Sequence, residues 1–387
     1  MKPSMLPIFA AGLSLAAAAL PMKASAALPT IDVAANTAIV LDYATGAVLY
    51  DKDADKRIPP ASLSKIMTAY VVYTYLKEGR VKLDDTLPVS EKAWAKHKTN
   101  ESNMFVPLGA QVKVEDLIRG MIIQSGNDAC VVLAEGLAGS TDAFVDRMNA
   151  MAQKLGLTGS HFADVDGLPN PEEYMTARDI ATLARDMIRD FPEYQHYDAE
   201  KEFTYNGIKQ GNRNPLLYKD IGVDGMKTGH TEEAGYGITA TALRNGRRII
   251  AVLSGMASMN ARSQESEKLL DWAYREWADY KLVKAGDTVD EAPVWLGVAA
   301  TVPVTTAQDV LVSLPKRSRP QMKVMAVYDH PAAAPVKEGQ VVGKLQITAP
   351  DVAAVEVPLV AAQPVEKVGA LARAGLAAGY LIFGHKN

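Results

Sequence analysis

Apolar and polar positions change period three times along the chain. Residues 37–51 read as a hairpin: Ala38-Ile39-Val40-Leu41 and Ala47-Val48-Leu49-Tyr50 flank the turn-like Ala44-Thr45-Gly46. From about 62 to 200 the spacing is mostly helical. An apolar run follows Ser62, with Pro59-Pro60 just before it marking a helix start. Val114 opens a helix whose apolar positions run to Ile123, and Asp128 to Leu137 forms another. Asp142 to Leu155 is amphipathic through Phe144, Met148, Met151 and Leu155. Residues 163–174, rich in Gly, Pro and Asp, form a loop. Thr176 to Ile188 is a further helix, with Thr176 as N-cap and Asp179 three residues on.

From 218 the period shortens. Gly222 to Gly229 has strand character. Gly237–Leu243 and Arg248–Ser254 flank Asn245-Gly246, the strongest short-range hairpin signal in the chain. A helix from Ser263 to about Tyr280 follows, burying Leu269, Leu270, Ala273 and Trp277. Two strands thus precede a helical block and three follow it, which favours an antiparallel sheet with helices against it. Residues 283–364 carry short apolar runs (Val310-Leu311-Val312, Lys323 to Val327, Val341-Val342, Val355-Glu356-Val357) broken by Pro and Gly, and predict a small all-β domain. The fold class expected is α+β, followed by that β domain and a C-terminal amphipathic helix.

Both ends are apolar. Lys2, the apolar residues 8–20 and Ala24-Ser25-Ala26 read as a secretory signal. The expected division is 1–26 signal peptide, 27–282 first domain, 283–364 β domain and 365–387 anchoring helix. Residues 374–384 carry no charge while Arg373, His385 and Lys386 flank them. That run is short for a bilayer span, so an interfacial helix on a membrane surface is the better reading. Net charge is −4 over 387 residues, which gives no reason to expect nucleic acid as a partner. Cys130 is the single cysteine, so no internal disulfide forms, and six scattered histidines show no metal-ligand spacing. Cys130, His161 and His196 are read as structural.

The chemistry starts at Ser62-Leu63-Ser64-Lys65. Residues three apart share a helix face, so Lys65 would lie beside Ser62. A serine hydroxyl is a weak nucleophile until a base takes its proton, and a lysine serves when burial or nearby cations favour its neutral amine. Downstream come Ser125-Gly126-Asn127 and Lys227-Thr228-Gly229, and the three motifs in this order match the penicillin-binding and serine β-lactamase set.

Longer stretches extend the match: Ile123 to Cys130, Val223 to Thr231 and Ala261-Arg262-Ser263-Gln264-Glu265-Ser266. On these residues the chain resembles the D-alanyl-D-alanine carboxypeptidases of the low-molecular-mass penicillin-binding proteins, penicillin-binding protein 5-like, strongly over about residues 30–280. The resemblance implies a β-lactamase/transpeptidase-like first domain, with the site at the seam between sheet and helical block. It implies Ser62 as nucleophile, Lys65 as its base, and Ser125 as the group passing a proton to the departing amine. Asn127 would bind the substrate amide, and the backbone N–H groups of Ser62 and His230 would hold the oxyanion. Lys227 would add positive charge near Ser62 and Ser125, while Thr228, beside Gly229, and Arg262 would hold the terminal carboxylate. An arginine suits that task because its paired donors match a carboxylate. The substrate implied is a peptidoglycan stem peptide ending in D-Ala-D-Ala, with β-lactams as covalent inhibitors, no metal and no organic cofactor. The location implied is the outer face of the cytoplasmic membrane, in the periplasm.

Three alternatives stay open. A class A β-lactamase would usually carry Ser-Asp-Asn, not Ser125-Gly126-Asn127, and a Glu-x-x-Leu-Asn loop, where this chain has Asp166 to Glu173. It would also lack the β domain. A D,D-endopeptidase on crosslinks has the same motifs. A silent β-lactam sensor would be signalled by an altered nucleophile or base, and Ser62 and Lys65 are both present.

Overall fold

The computed structural model describes residues 31–99 and 101–369. The expected signal peptide and the tail from 370, with most of the expected anchoring helix, lie outside the described residues.

Five antiparallel strands form the central sheet, in the order Val48–Lys52, Thr37–Asp42, Arg247–Met256, Gly235–Arg244, Val223–Thr231. The two N-terminal strands therefore complete a sheet begun by the three that follow the helices. Thr37–Asp42 is buried along its whole length because both its faces are covered. Alternation sorts its side chains. Ile39 and Leu41, with Ile250 and Val252 opposite them, join the core under the helical block. Ala38 and Val40, with Ala251 and Leu253, face Leu269, Leu270, Trp272 and Ala273 of the helix Met259–Glu276. Each fully buried Leu or Ile contributes about 1.5–3 kcal/mol.

The Asn245-Gly246 hairpin forms as expected. Both residues take left-handed backbone angles, φ 51 and 78, which a two-residue turn of this twist requires. The helices run Lys65–Lys77, Val114–Ile123, Asn127–Ala138, Thr141–Lys154 and Ala177–Asp190. Lys65–Lys77 is apolar on nearly every side and passes through the middle of the block. Thr176 caps its helix, Oγ1 accepting from Asp179 N at 3.1 Å. Asp179 does not reach back to close a capping box; its carboxylate accepts from Gly159 N and Ser160 Oγ instead.

One element differs from expectation. The helix placed at 263–280 runs from Met259 to Glu276, capped by Ser258, and Trp277–Val283 is a strand paired with Val310–Pro315. Trp277 is buried all the same, but from the strand. The pairing partner lies far along the chain, so local pattern could not reveal it. The β unit's pairing thus starts at Trp277, before the expected 283.

Beyond it a six-stranded sheet runs Lys323–Val327, Val341–Thr348, Val355–Ala361, Thr301–Thr305, Asp290–Trp295, Ala332–Ala333. Its core holds Val302, Val304, Val312, Leu314, Leu345, Ile347 and Leu359. Val365 bridges Val336 and Lys367 bridges Gly297, so residues 365–367 lie extended on this unit and are not the start of a helix. The unit meets the first domain through Asp279 and Ser313. Arg247 Nε bonds both Asp279 and Asp42 at 2.9 Å, and Ser313 Oγ lies 2.7 Å from Thr45 Oγ1. These contacts sit at the Asp42 end of the central sheet, opposite the end carrying Gly229–Thr231. Among the described residues no helix is long and apolar enough to cross a membrane.

Candidate active site

Ser62 sits on a 3₁₀ turn, Ala61–Ser64, that opens the buried helix. Ala61 holds φ 49, a left-handed conformation costly for a residue with a Cβ. Two glycines let other segments close on this turn. A Cβ at Gly167 would come 2.1 Å from Ala61 O, and one at Gly229 would come 3.2 Å from Ser62 N. The strand Val223–Thr231 and the loop 163–174 therefore pack against the nucleophile turn from two sides, and His230 follows directly on the strand.

The first helical turn carries Lys65 inward, where it is 1% exposed. Its Nζ donates to Ser62 Oγ and to Asn127 Oδ1, each at 2.8 Å, and to the backbone carbonyl of Asp166. Across the cleft Lys227 Nζ donates to Ser125 Oγ and Thr228 O, both at 2.9 Å. Ser125 is itself left-handed, φ 66, just before the helix that starts at Asn127. That helix has Gly126 as N-cap with no side-chain cap, which leaves the Ser125 hydroxyl and the Asn127 amide to the cleft. Lys227 is pushed well below the ordinary lysine range, by burial first and then by the charges of Lys65 and Arg213.

The cleft encloses about 770 Å³, and Ser62, Ser125, Asn127, Thr228, His230 and Arg262 all line it. Arg262 is buried, its Nε has no partner among the described residues, and its guanidinium lies 5.6 Å from the Tyr236 ring. His230 also stacks on Tyr236, with ring centroids 3.9 Å apart. A desolvated guanidinium with a buried, unsatisfied Nε in a cleft calls for an anion, because an uncompensated buried donor is costly. All nine residues singled out from the motifs lie at or immediately around this one cleft.

Sequence reasoning missed several others. Arg213 lines the same cleft and donates to Ser102 Oγ at 2.5 Å, giving a second guanidinium near Arg262, whose Nη2 lies 3.5 Å from Arg213 O. Burial pushes both guanidiniums below their ordinary range. Glu101 accepts from Asn127 Nδ2 at 3.1 Å. Asp128, next to Asn127, accepts from the backbone N–H groups of Met104, Phe105 and Val106, fixing that segment against the helix start. Lys96 and Asp166 pair at 2.8 Å, joining the segment before Met104 to the 163–174 loop. Only Asp128 had a local signal, since it directly follows Ser125-Gly126-Asn127.

Cys130 is buried away from the cleft, and His161 and His196 lie exposed outside it. Burial pushes the Cys130 thiol up to about 12, and its Sγ contacts Gly126 O. His161 bridges Tyr174, and His196 Nδ1 lies 2.9 Å from Glu193 O. Among the described residues no group of three or more His, Cys, Asp or Glu side chains could hold a metal ion.

The 163–174 loop is braced from within. Asp164 accepts from Asp166 N and Gly167 N, and buried Glu173 accepts from Ala163 N and Asp164 N. Burial, then the charge of Asp164, pushes Glu173 up to about 8 from an ordinary value near 4.5. A carboxyl raised on folding adds stability fully present below its unfolded value and lost as pH rises through its folded value. Melting temperature should therefore fall between pH 5 and pH 8.5, and Glu173→Gln, neutral throughout, should flatten that slope. Equal slopes in the two proteins would show that Glu173 is not the group responsible.

Comparisons with known proteins agree with this layout. A family model described as D-alanyl-D-alanine carboxypeptidase matches residues 22–258, and one described as penicillin-binding protein 5, C-terminal domain, matches residues 277–367. The D-alanyl-D-alanine carboxypeptidase DacA of Haemophilus influenzae is 40% identical over 326 residues, 83% of this chain and 83% of that one. The crystal structure of penicillin binding protein 5 from Haemophilus influenzae is 38% identical with a TM-score of 0.82, over 87% of this chain and 99% of that chain. Penicillin-Binding Protein D2 of Listeria monocytogenes, solved in its ampicillin-bound form, is 31% identical with a TM-score of 0.58, over 64% of this chain and 99% of that chain.

Proposed function

The chain belongs to the D-alanyl-D-alanine carboxypeptidase family of penicillin-binding proteins, and from that premise we propose how its own residues carry the reaction. The observation behind the assignment is the Lys65 amine, buried and 2.8 Å from both Ser62 Oγ and Asn127 Oδ1.

Ser62 Oγ attacks the carbonyl carbon of the penultimate D-alanine, and its proton passes to Lys65. The carbonyl oxygen becomes an oxyanion held by the backbone N–H groups of Ser62 and His230; donors so placed typically stabilise a transition state by about 3–4 kcal/mol. The C–N bond then breaks. The departing D-alanine amine takes a proton through Ser125, whose hydroxyl is held by Lys227. Water next attacks the Ser62 ester, with Lys65 again taking the proton, and Ser62 is restored. Asn127 Nδ2 binds the peptide's amide carbonyl, a place that Glu101 occupies in the free enzyme.

The terminal carboxylate sits with Thr228 Oγ1 and Arg262, and Arg213 adds a second cation. This is how the enzyme distinguishes a chain end from an internal bond. Arg262→Gln should raise KM for a peptide ending in D-Ala-D-Ala by about 10–100-fold, the worth of one charge-assisted hydrogen bond. Wild type should strongly prefer the free acid over the C-terminal amide, and the variant should lose most of that preference. An unchanged preference would move the recognition to Arg213.

β-Lactams acylate Ser62 through the same attack on their strained amide, and slow hydrolysis of that ester makes them inhibitors. Residues 1–26 direct export to the periplasm, and the uncharged run at 374–384 holds the protein peripherally on the outer face of the cytoplasmic membrane.

A further inference from the structure

One end of the β unit is apolar and bare. Between Glu291 and Asp309 there is no charged side chain. In the middle of that stretch, residues 296–300 turn the strand Asp290–Trp295 into Thr301–Thr305. Trp295 is 47% exposed and Val298 67%, and Ala299 and Ala300 are exposed beside them. The patch widens across the sheet edge. Trp295 pairs with Ala333, within the equally uncharged Pro331–Pro335, and Ala333 is exposed too. A cluster of bare apolar side chains crowned by an indole is uncommon on a soluble surface and marks a contact site.

The course of the chain identifies what covers it. Val298 N donates to Glu366 O at 2.8 Å, and Val368 N donates to Leu296 O at 3.0 Å. The chain therefore leaves the β unit along this turn, with Gly369 next. The 18 residues that follow hold the uncharged 374–384 run, and the only charge-bearing side chains among them are Arg373, Lys386 and, when protonated, His385. The patch and the root of the tail are one surface. A tail on the bilayer brings the turn to the same interface, where an indole is the favoured side chain and where flanking cations meet anionic lipid.

We propose that Trp295 and the 296–300 turn form a second membrane-contact surface, seated in an anionic lipid interface beside the tail. This rests on the membrane reading of the tail given above. Two contacts fix the orientation of the β unit on the membrane, which a single contact would leave free.

The test uses the full chain with vesicles of phosphatidylethanolamine and phosphatidylglycerol. Vesicles carrying bromine on the acyl chains should quench a component of the tryptophan emission, and Trp295→Phe should lack that component. Trp295→Ser with Val298→Ser should lower the vesicle partition coefficient by about ten-fold, with D-alanine release from a soluble peptide unchanged. Leu381→Ser with Ile382→Ser and Phe383→Ser tests the tail alone. Binding by the wild type without Trp295-dependent quenching would overturn the second contact and leave the tail as sole anchor. No wild-type binding would overturn the membrane reading itself, and the second contact with it. Vesicle-free self-association abolished by Trp295→Ser would assign the patch to a second copy, also overturning the proposal.

Discussion

A Ser62→Ala variant is expected to lose D-alanine release by at least about 10⁴-fold, the scale on which removal of a nucleophile from a serine enzyme acts. It should also take up no covalent fluorescent penicillin. The loss is chemical and not structural. Ser62 is partly exposed on a short turn, and alanine is small enough for it. Lys65 keeps Asn127 and the Asp166 carbonyl as partners when the hydroxyl is gone. The melting temperature should therefore shift little, and non-covalent binding of the peptide should persist. Release at the wild-type rate would remove Ser62 from the mechanism.

Lys65 should give the second largest effect. A positioned general base contributes about 10²–10⁴-fold, so Lys65→Met should slow acylation by about 10³-fold. Methionine alone cannot separate a lost base from a lost charge, because it removes both. Lys65→Arg separates them: it keeps a cation of similar reach, but a guanidinium does not give up its proton. Both variants should therefore be slow, measured as the second-order rate of penicillin labelling. Near-normal labelling by Lys65→Arg would assign Lys65 an electrostatic role and pass the base to another group. Removing the Lys65 nitrogen also leaves Asn127 Oδ1 and the Asp166 carbonyl short of a donor, at about 1–3 kcal/mol for each group left unsatisfied. A modest fall in melting temperature should accompany Lys65→Met.

The parts of this molecule that were legible in the sequence are those whose cause is local. Asn245-Gly246 requires a tight turn whatever surrounds it, and its two strands follow. The helix ending at Asp190 announces its start through Thr176. The strand Trp277–Val283 was not legible, because its pairing partner Val310–Pro315 lies on the far side of a hairpin. Asp290–Trp295 and Thr301–Thr305 were missed for a similar reason: their prolines and uncharged turn blur the alternation that marks a strand.

The site divides the same way. Ser62 and Lys65 share one helix turn, and Ser125 and Asn127 share one loop, so short motifs expose them. Arg213, Glu101 and Asp166 come from irregular segments with no period to read, and Lys96 from a single 3₁₀ turn. Glu101 and Arg213 line the cleft, Arg213 tied to Ser102, while Asp128 ties down residues 104–106 and Gly167 lets the Asp166 loop touch the nucleophile turn. The second guanidinium matters most among these, since it makes the Arg262 end of the cleft doubly cationic.

The most direct test of the account is the mass of the trapped acyl-enzyme. Wild-type protein would be mixed with penicillin, quenched in acid, digested and sequenced by mass spectrometry. One adduct of the whole antibiotic is expected, on the peptide containing Ser62 and localised to that serine. An adduct on Ser125 or any other residue, or none while D-alanine is still released, would contradict it.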